Sequence, residues 1–247
     1  MIRVDNISKS FNGQTVLKNI TTRFEKGKTN LIIGQSGSGK TVLMKSCIGL
    51  LPIDEGSIYF NDLCFSDLNE KKKRETRKEM GVLFQGGALF DSFTVEDNVM
   101  FPMNMFTKMT LEEKREEVNS VLKHVNLVNA NKKYPAEISG GMIKRVAIAR
   151  AIALKPKYLF CDEPNSGLDP KTAEMIDELI SDLTHEFDMT TVINTHDMNS
   201  VLQIGENISY IHKGELWWEG NKDMILNTDN EELNEFVFST ELTRRVK

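Results

Sequence analysis

Gly34-Gln35-Ser36-Gly37-Ser38-Gly39-Lys40-Thr41 is the stretch on which the reading of this chain turns. It has the form G-x-x-x-x-G-K-[ST] and stands between a compact apolar run, Thr29 to Ile33, and a segment of helical pattern, Lys40 to Leu50. Glycines at these spacings let the backbone curl until its N–H groups converge on phosphate oxygens, and the following helix N-terminus adds partial positive charge. Lys40 is expected to reach the β- and γ-phosphates of ATP, and Thr41 to offer its hydroxyl to Mg²⁺.

Farther along, Tyr158-Leu159-Phe160-Cys161-Asp162-Glu163 is an apolar strand that ends in two acids. In a parallel sheet Asp162 emerges at the carboxyl edge beside the phosphate loop, where it is expected to hold Mg²⁺ through water. Glu163 is then placed to polarise the attacking water as general base. Two acids after a strand also serve to cap a following helix; it is the pairing with the phosphate loop that favours catalysis. Ser139-Gly140-Gly141 opens another helical stretch, Met142 to Leu154, and offers a second anion site made of a hydroxyl and two N–H groups.

Around these motifs strand and helix alternate, which implies a parallel sheet. Short apolar segments at Ile2 to Val4 and Val16 to Phe24 form a β-rich entry, followed by a β segment from Gly56 to Phe65. Leu111 to Leu127 carries Val118, Val121, Leu122 and Val125 at helical spacing. The later elements are a helix from Lys171 to Phe187, a strand from Thr190 to Asn194, a short helix from Met198 and a hairpin from Ile208 to Trp218. Asn69 to Glu79 holds six basic and three acidic residues and reads as a solvated helix or loop. The 40% hydrophobic content is enough for a buried core. A net charge of −5 gives no footprint for a phosphate backbone, so nucleic acid is not an expected partner. Cys47, Cys64 and Cys161 lack C-x-x-C spacing and are expected to be buried free thiols in a reducing cytosol. No apolar run reaches the roughly 18 residues of a membrane span, and the N-terminus lacks a signal-peptide pattern, so a soluble chain is expected.

Ile138-Ser139-Gly140-Gly141-Met142, followed by Lys144, Arg145 and Ala149-Arg150-Ala151, resembles the signature motif of the ABC ATPases, and the resemblance covers essentially the whole chain. It implies an α/β P-loop NTPase of ABC type: a mainly parallel sheet core with an antiparallel β subdomain and an inserted helical subdomain. On that pattern the chain is one domain, with core and β subdomain over about 1–85 and 158–222, helical subdomain over about 86–157 and a tail over about 223–247. The resemblance also implies a head-to-tail homodimer, in which the signature motif closes over ATP held by the phosphate loop of the opposite subunit. Gln85 matches the family's glutamine that senses Mg²⁺ and the attacking water. His196, 34 residues after Asp162, resembles the switch histidine that contacts the γ-phosphate and holds Glu163. Ser166-Gly167-Leu168-Asp169 resembles the family's loop by which the two sites sense each other, which places Asp169 in it. Phe11 stands where the family places a ring against adenine, although its surroundings equally allow a core residue.

Two positions depart from the common family pattern: Met142 where many relatives have glutamine, and Gly167 where many have alanine. With Gln85-Gly86-Gly87-Ala88-Leu89-Phe90-Asp91-Ser92 and Thr94-Val95-Glu96-Asp97-Asn98-Val99 they resemble the ATPases of Mla- or Mce-type lipid transporters. That branch implies multi-spanning permease partners, an Mce-domain lipid-binding subunit and a place on the cytoplasmic face of the inner membrane. An amino-acid importer, or a soluble ATPase of iron–sulfur assembly, are the alternatives. Phe90, Phe93, Val95, Val99 and Phe101 are expected to offer an apolar surface to a permease helix, or in part to serve the subdomain core.

Overall fold

The computed structural model describes residues 1–238; positions 239–247 of the tail lie outside the described residues. The chain begins with a hairpin of β1 (Ile2–Phe11) and β2 (Gln14–Phe24). Asn12 and Gly13 join the strands at φ 50° and 81°, the left-handed conformations that a tight hairpin turn demands. Glu55–Phe60 (β4) pairs with β1 and Leu63–Cys64 (β5) with β4, giving an antiparallel sheet ordered β2-β1-β4-β5. The β segment expected from Gly56 to Phe65 is thus broken in two, with Asn61 in the turn at φ 52°.

The second sheet is ordered β10-β9-β3-β8-β7-β6. It is built from Thr29–Ile33 (β3), Met80–Leu83 (β6), Tyr158–Asp162 (β7), Thr190–Thr195 (β8), Asn207–His212 (β9) and Glu215–Gly220 (β10). The pairs β6·β7, β7·β8, β8·β3 and β3·β9 are parallel, and only β10 runs antiparallel, against β9. Side chains buried on both faces explain why the central strands read as unbroken apolar runs. Leu31, Ile33, Leu159, Cys161 and Ile193 point into one core. Ile32, Phe160 and Val192 point into the other, which packs the antiparallel sheet and α1 (Lys40–Ile48) against the parallel one.

Glu70–Arg77 (α2) is an exposed helix capped by Asn69. Its charge run is not wholly solvated: Arg77 donates from Nε to Ile48 O at 3.1 Å and from Nη2 to Gly49 O at 2.7 Å, closing the C-terminal end of α1. Three further helices, Val95–Phe106 (α3), Leu111–His124 (α4) and Gly140–Ile152 (α5), fill the first core together with Pro170–Glu186 (α6). The pattern analysis missed α3, although Thr94 and Asp97 form a reciprocal capping box at its start. Burial divides the five residues between the two expected roles: Val95 and Val99 are core residues with no exposure, whereas Phe90 is 41% exposed and Phe93 and Phe101 are half-buried. Cys47 and Cys161 are buried free thiols, and burial pushes Cys47 up to about 12. Cys64 departs from expectation: it is half-exposed and its thiol donates to Asp67 at 3.2 Å. Met198–Ile204 (α7), Lys222–Ile225 (α8) and Glu231–Val237 (α9) complete the described chain. Among the described residues no helix is long and apolar enough to cross a membrane.

Candidate active site

Because β3, β7, β8 and β6 run parallel, their carboxyl ends open on one edge, and each delivers a motif there. Ile33 lies opposite Thr195, Asp162 opposite Asn194, and Leu83 opposite Cys161. The residues that follow, Gly34, His196, Glu163 and Gln85, therefore emerge side by side.

Gly34, Gly37 and Gly39 have φ 147°, 80° and 109°. A Cβ on Gly34 would strike Ile211 O, and one on Gly39 would come within 2.8 Å of Leu17 Cδ2, so the loop accepts only glycine there. The turn opens α1 without a side-chain cap and with no acid in its first turn, which leaves the helix-start N–H groups and the positive dipole end unneutralised. They face a cavity of about 280 Å³ lined by Ser36, Gly37, Gly39, Lys40, Thr41 and Glu163, among others. Lys40 Nζ folds back to donate to Gly34 O at 2.8 Å and Gln35 O at 3.0 Å. Burial pulls its ammonium below the usual lysine value, opposed by the charges of Glu163 and Asp162.

Thr41 Oγ1 and Asp162 Oδ1 are 3.4 Å apart, and Asn194 Nδ2 donates to the same Asp162 oxygen at 3.1 Å. A hydroxyl and a carboxylate oxygen form the hard donor set that suits Mg²⁺. Among the described residues no cluster of three or more His, Cys, Asp or Glu could enclose a metal, so such an ion would fill its shell with phosphate and water oxygens.

Glu163 is the focus of the edge. Its backbone sits at φ 46°, a left-handed conformation unusual for glutamate, and its N–H donates to Asn194 O at 3.0 Å. Its carboxylate is gripped from two sides: His196 Nδ1 lies 3.0 Å from Oε1, and Gln85 Nε2 donates to Oε2 at 3.1 Å. The same Gln85 nitrogen reaches Ser166 Oγ at 3.1 Å, so Gln85 is tied to Glu163 and its loop; no hydrogen bond joins it to Thr41 or Asp162 among the described residues.

The other expected residues lie apart from this cluster. Ser139 is the N-cap of α5, with Oγ accepting from Met142 N at 3.3 Å, and Gly140 is exposed beside Leu168. Among the described residues no hydrogen bond links Ser139, Gly140 or Gly141 to the phosphate loop of the same chain. Asp169 caps α6, accepting from Thr172 N at 3.1 Å and Oγ1 at 2.6 Å, bonds that hold its carboxyl below the usual range. Phe11 is exposed at the tip of β1 with Lys9 Nζ 5.4 Å from its ring, and does not line the cavity. Four residues at this edge were given no role there from the sequence. Val16 and Val42 line the cavity, Asn194 steadies Asp162, and the ammonium of Lys144 donates to Gln85 O. All four lay within stretches already quoted, Lys144 just after the Ser139-Gly140-Gly141 motif and Asn194 two residues before His196, but their partners at this edge are distant in sequence.

A family model described as ABC transporter matches residues 17–166. The chain is 37% identical over 236 residues to "Probable ribonucleotide transport ATP-binding protein mkl" of Mycobacterium tuberculosis, covering 96% of this chain and 66% of that protein. It thus spans just under two thirds of that relative's length. It is also 37% identical to "Methionine import ATP-binding protein MetN" of Campylobacter jejuni, over 96% of this chain and 75% of that one. Among solved structures, a dimeric post-hydrolysis state of the ATP-binding cassette MJ0796 bound to ADP and Pi superposes with TM-score 0.81 at 32% identity, over 90% of this chain and 99% of the other.

Proposed function

Because the chain belongs to the ABC transporter family, we propose that it is the ATP-hydrolysing subunit of a membrane transporter and works as a head-to-tail pair. The observation that carries this reading is Glu163, held by His196 and Gln85 on the wall of the cavity that Lys40 and Thr41 also line. ATP phosphates fill that cavity, and Lys40 Nζ exchanges the carbonyls of Gly34 and Gln35 for the β- and γ-phosphate oxygens. Bound at Thr41 and Asp162, Mg²⁺ supplies charge neutralisation at those phosphates. Glu163 accepts the proton of a water that attacks the γ-phosphorus while the bond to the β–γ bridging oxygen breaks. His196 donates from Nδ1 to one oxygen of the carboxylate, and Gln85 aims the other. Phe11 serves as a stacking surface for adenine beside this cavity.

Pairing follows from what one copy lacks. Ser139, Gly140 and Gly141 present a helix start to solvent away from their own phosphate loop, and a second copy turned head to tail brings them to its partner's γ-phosphate. Asp169 stands in the loop between the two sites. The dimeric state of MJ0796 with ADP and Pi is the supporting parallel.

The force of closure passes to a permease at the cytoplasmic face of the inner membrane. An apolar groove of about 430 Å³, lined by Phe84, Phe90, Phe101, Pro102 and Phe106 among others, suits a permease helix. Its position next to Gln85 gives the docked helix a short route to Glu163. For cargo the favoured reading is a phospholipid or another hydrophobic molecule handed on by an Mce-domain subunit, supported by the likeness of Gly87 to Phe90 and Met142 to that branch. The likeness to a methionine-import protein favours amino-acid transport as the second reading. Co-expression with candidate permeases tests both: the complex should hydrolyse ATP, and phospholipid vesicles should raise the rate severalfold. Stimulation by an amino acid with a periplasmic binding protein would replace the lipid reading. Failure of the chain to co-purify with the permease would remove the transporter itself.

A further inference from the structure

Lys144 lies on α5, the helix that Ser139 opens, and it is a buried cation, only 5% exposed. Burial pulls its ammonium below the usual lysine value, an unfavourable setting that a methionine of similar length would avoid. What the ammonium gains is one main-chain acceptor, Gln85 O, and the nearby charge of Glu163. Two turns along the same helix, Arg150 donates from Nη1 to Ala88 O and from Nη2 to Gly87 O, each at 2.7 Å. Ala88 sits at φ 48°, a left-handed conformation that alanine adopts only when its surroundings hold it there. Three side-chain bonds from one helix thus clamp the carbonyls of residues 85, 87 and 88. They act on the main chain, so they fix the path of the loop whatever side chains it carries.

We propose that Lys144 is a positioning residue for ATP hydrolysis: by holding the carbonyl of Gln85 it sets the Gln85 amide on Glu163 and makes α5 the arm that carries that amide. This rests on the functional reading above. Helix α5 then bears both the Ser139 end offered to the second copy and the anchor of its own copy's Gln85. A helix docked against Ala88 and Phe90, which line the apolar groove, pushes on the clamped loop and is felt at the base.

The test is steady-state ATPase kinetics on the purified full chain and its Lys144→Met and Lys144→Arg variants, with ATP affinity and thermal midpoint measured alongside. Lys144→Met is expected to lower kcat at least ~10-fold, corresponding to about 1.4 kcal/mol in the barrier. The KM for ATP should stay within about threefold, because the phosphate contacts are untouched. The melting temperature should not fall, since a buried charge has been removed, and Lys144→Arg should restore most of kcat. Unchanged kcat in Lys144→Met overturns the proposal. So does a joint loss of kcat, ATP affinity and thermal midpoint that arginine does not repair, which would mark a structural role. A wild-type chain without any ATPase activity would instead remove the functional reading, so the two failures are separable.

Discussion

Asp177 is a buried carboxyl whose protonation is coupled to folding. It sits on α6, 2% exposed, facing Asn165 of the loop after Glu163 and Ser200 of α7, and its Oδ1 has no hydrogen-bond partner. Burial, aided by the charge of Asp197, pushes it up to about 6 from 3.8, against the weaker pull of the Ser200 and Asn165 hydrogen bonds. A carboxyl whose folded value is raised favours the folded state more as pH falls from above 6 toward 4, and penalises it at neutral pH by roughly 3 kcal/mol. Asp177→Asn is therefore expected to be more stable than the parent at pH 7.5, by roughly 1–3 kcal/mol, and to lose that advantage near pH 4.5. Urea unfolding at the two pH values checks this, and an equal effect at both would show that burial does not control the group. At this scale the phosphate loop was legible because its chemistry is local: eight consecutive residues form the nest. Asn194 and Lys144 were not, because their partners Asp162 and Gln85 are distant in sequence and meet them only through the strand register and the packing of α5.

Helix α3 carries the lesson at the level of the element. Its buried apolar residues Val95, Val99, Met100 and Met103 fall at helical spacing, but the polar run at 96–98 and Pro102 inside the element left this short stripe unread. The capping box of Thr94 and Asp97 was a second local signal, marking where the helix starts. The same stretch was expected to supply a docking surface, and burial divides it. Val95, Val99 and Met103 face the core, while Phe90 clusters with Phe93 and Phe101 at 5.0 and 4.8 Å between ring centres beside the groove. The two roles should separate on mutation. Met103→Ala is expected to cost about 2–5 kcal/mol of stability through the cavity it leaves. Phe90→Ala forfeits mainly ring contacts, roughly 0.5–1.5 kcal/mol, but should release the permease. Denaturation and co-purification read the two effects apart; a Phe90→Ala chain that still holds the permease would place the docking surface elsewhere.

Across the whole molecule, the alternation of strand and helix was enough to foresee a parallel sheet with ligands at its carboxyl edge, because connection rules leave few other topologies. The separate antiparallel sheet was visible as short β segments around Asn12-Gly13. That β4 joins β1 in it depends on long-range pairing no local pattern records. Glu163, His196 and Gln85 meet within a single chain, so the group proposed to polarise water needs no residue from a second copy. The residues expected to close on the γ-phosphate, Ser139 to Gly141, are not, and the account therefore stands or falls with pairing. Sedimentation velocity on Glu163→Gln with and without Mg-ATP, beside an ATPase assay, tests this directly. The variant should be monomeric without nucleotide, shift to a dimer with ATP and show turnover reduced at least ~100-fold. A variant that remains monomeric in saturating ATP and hydrolyses it at the parental rate would contradict both the assigned base and the shared site.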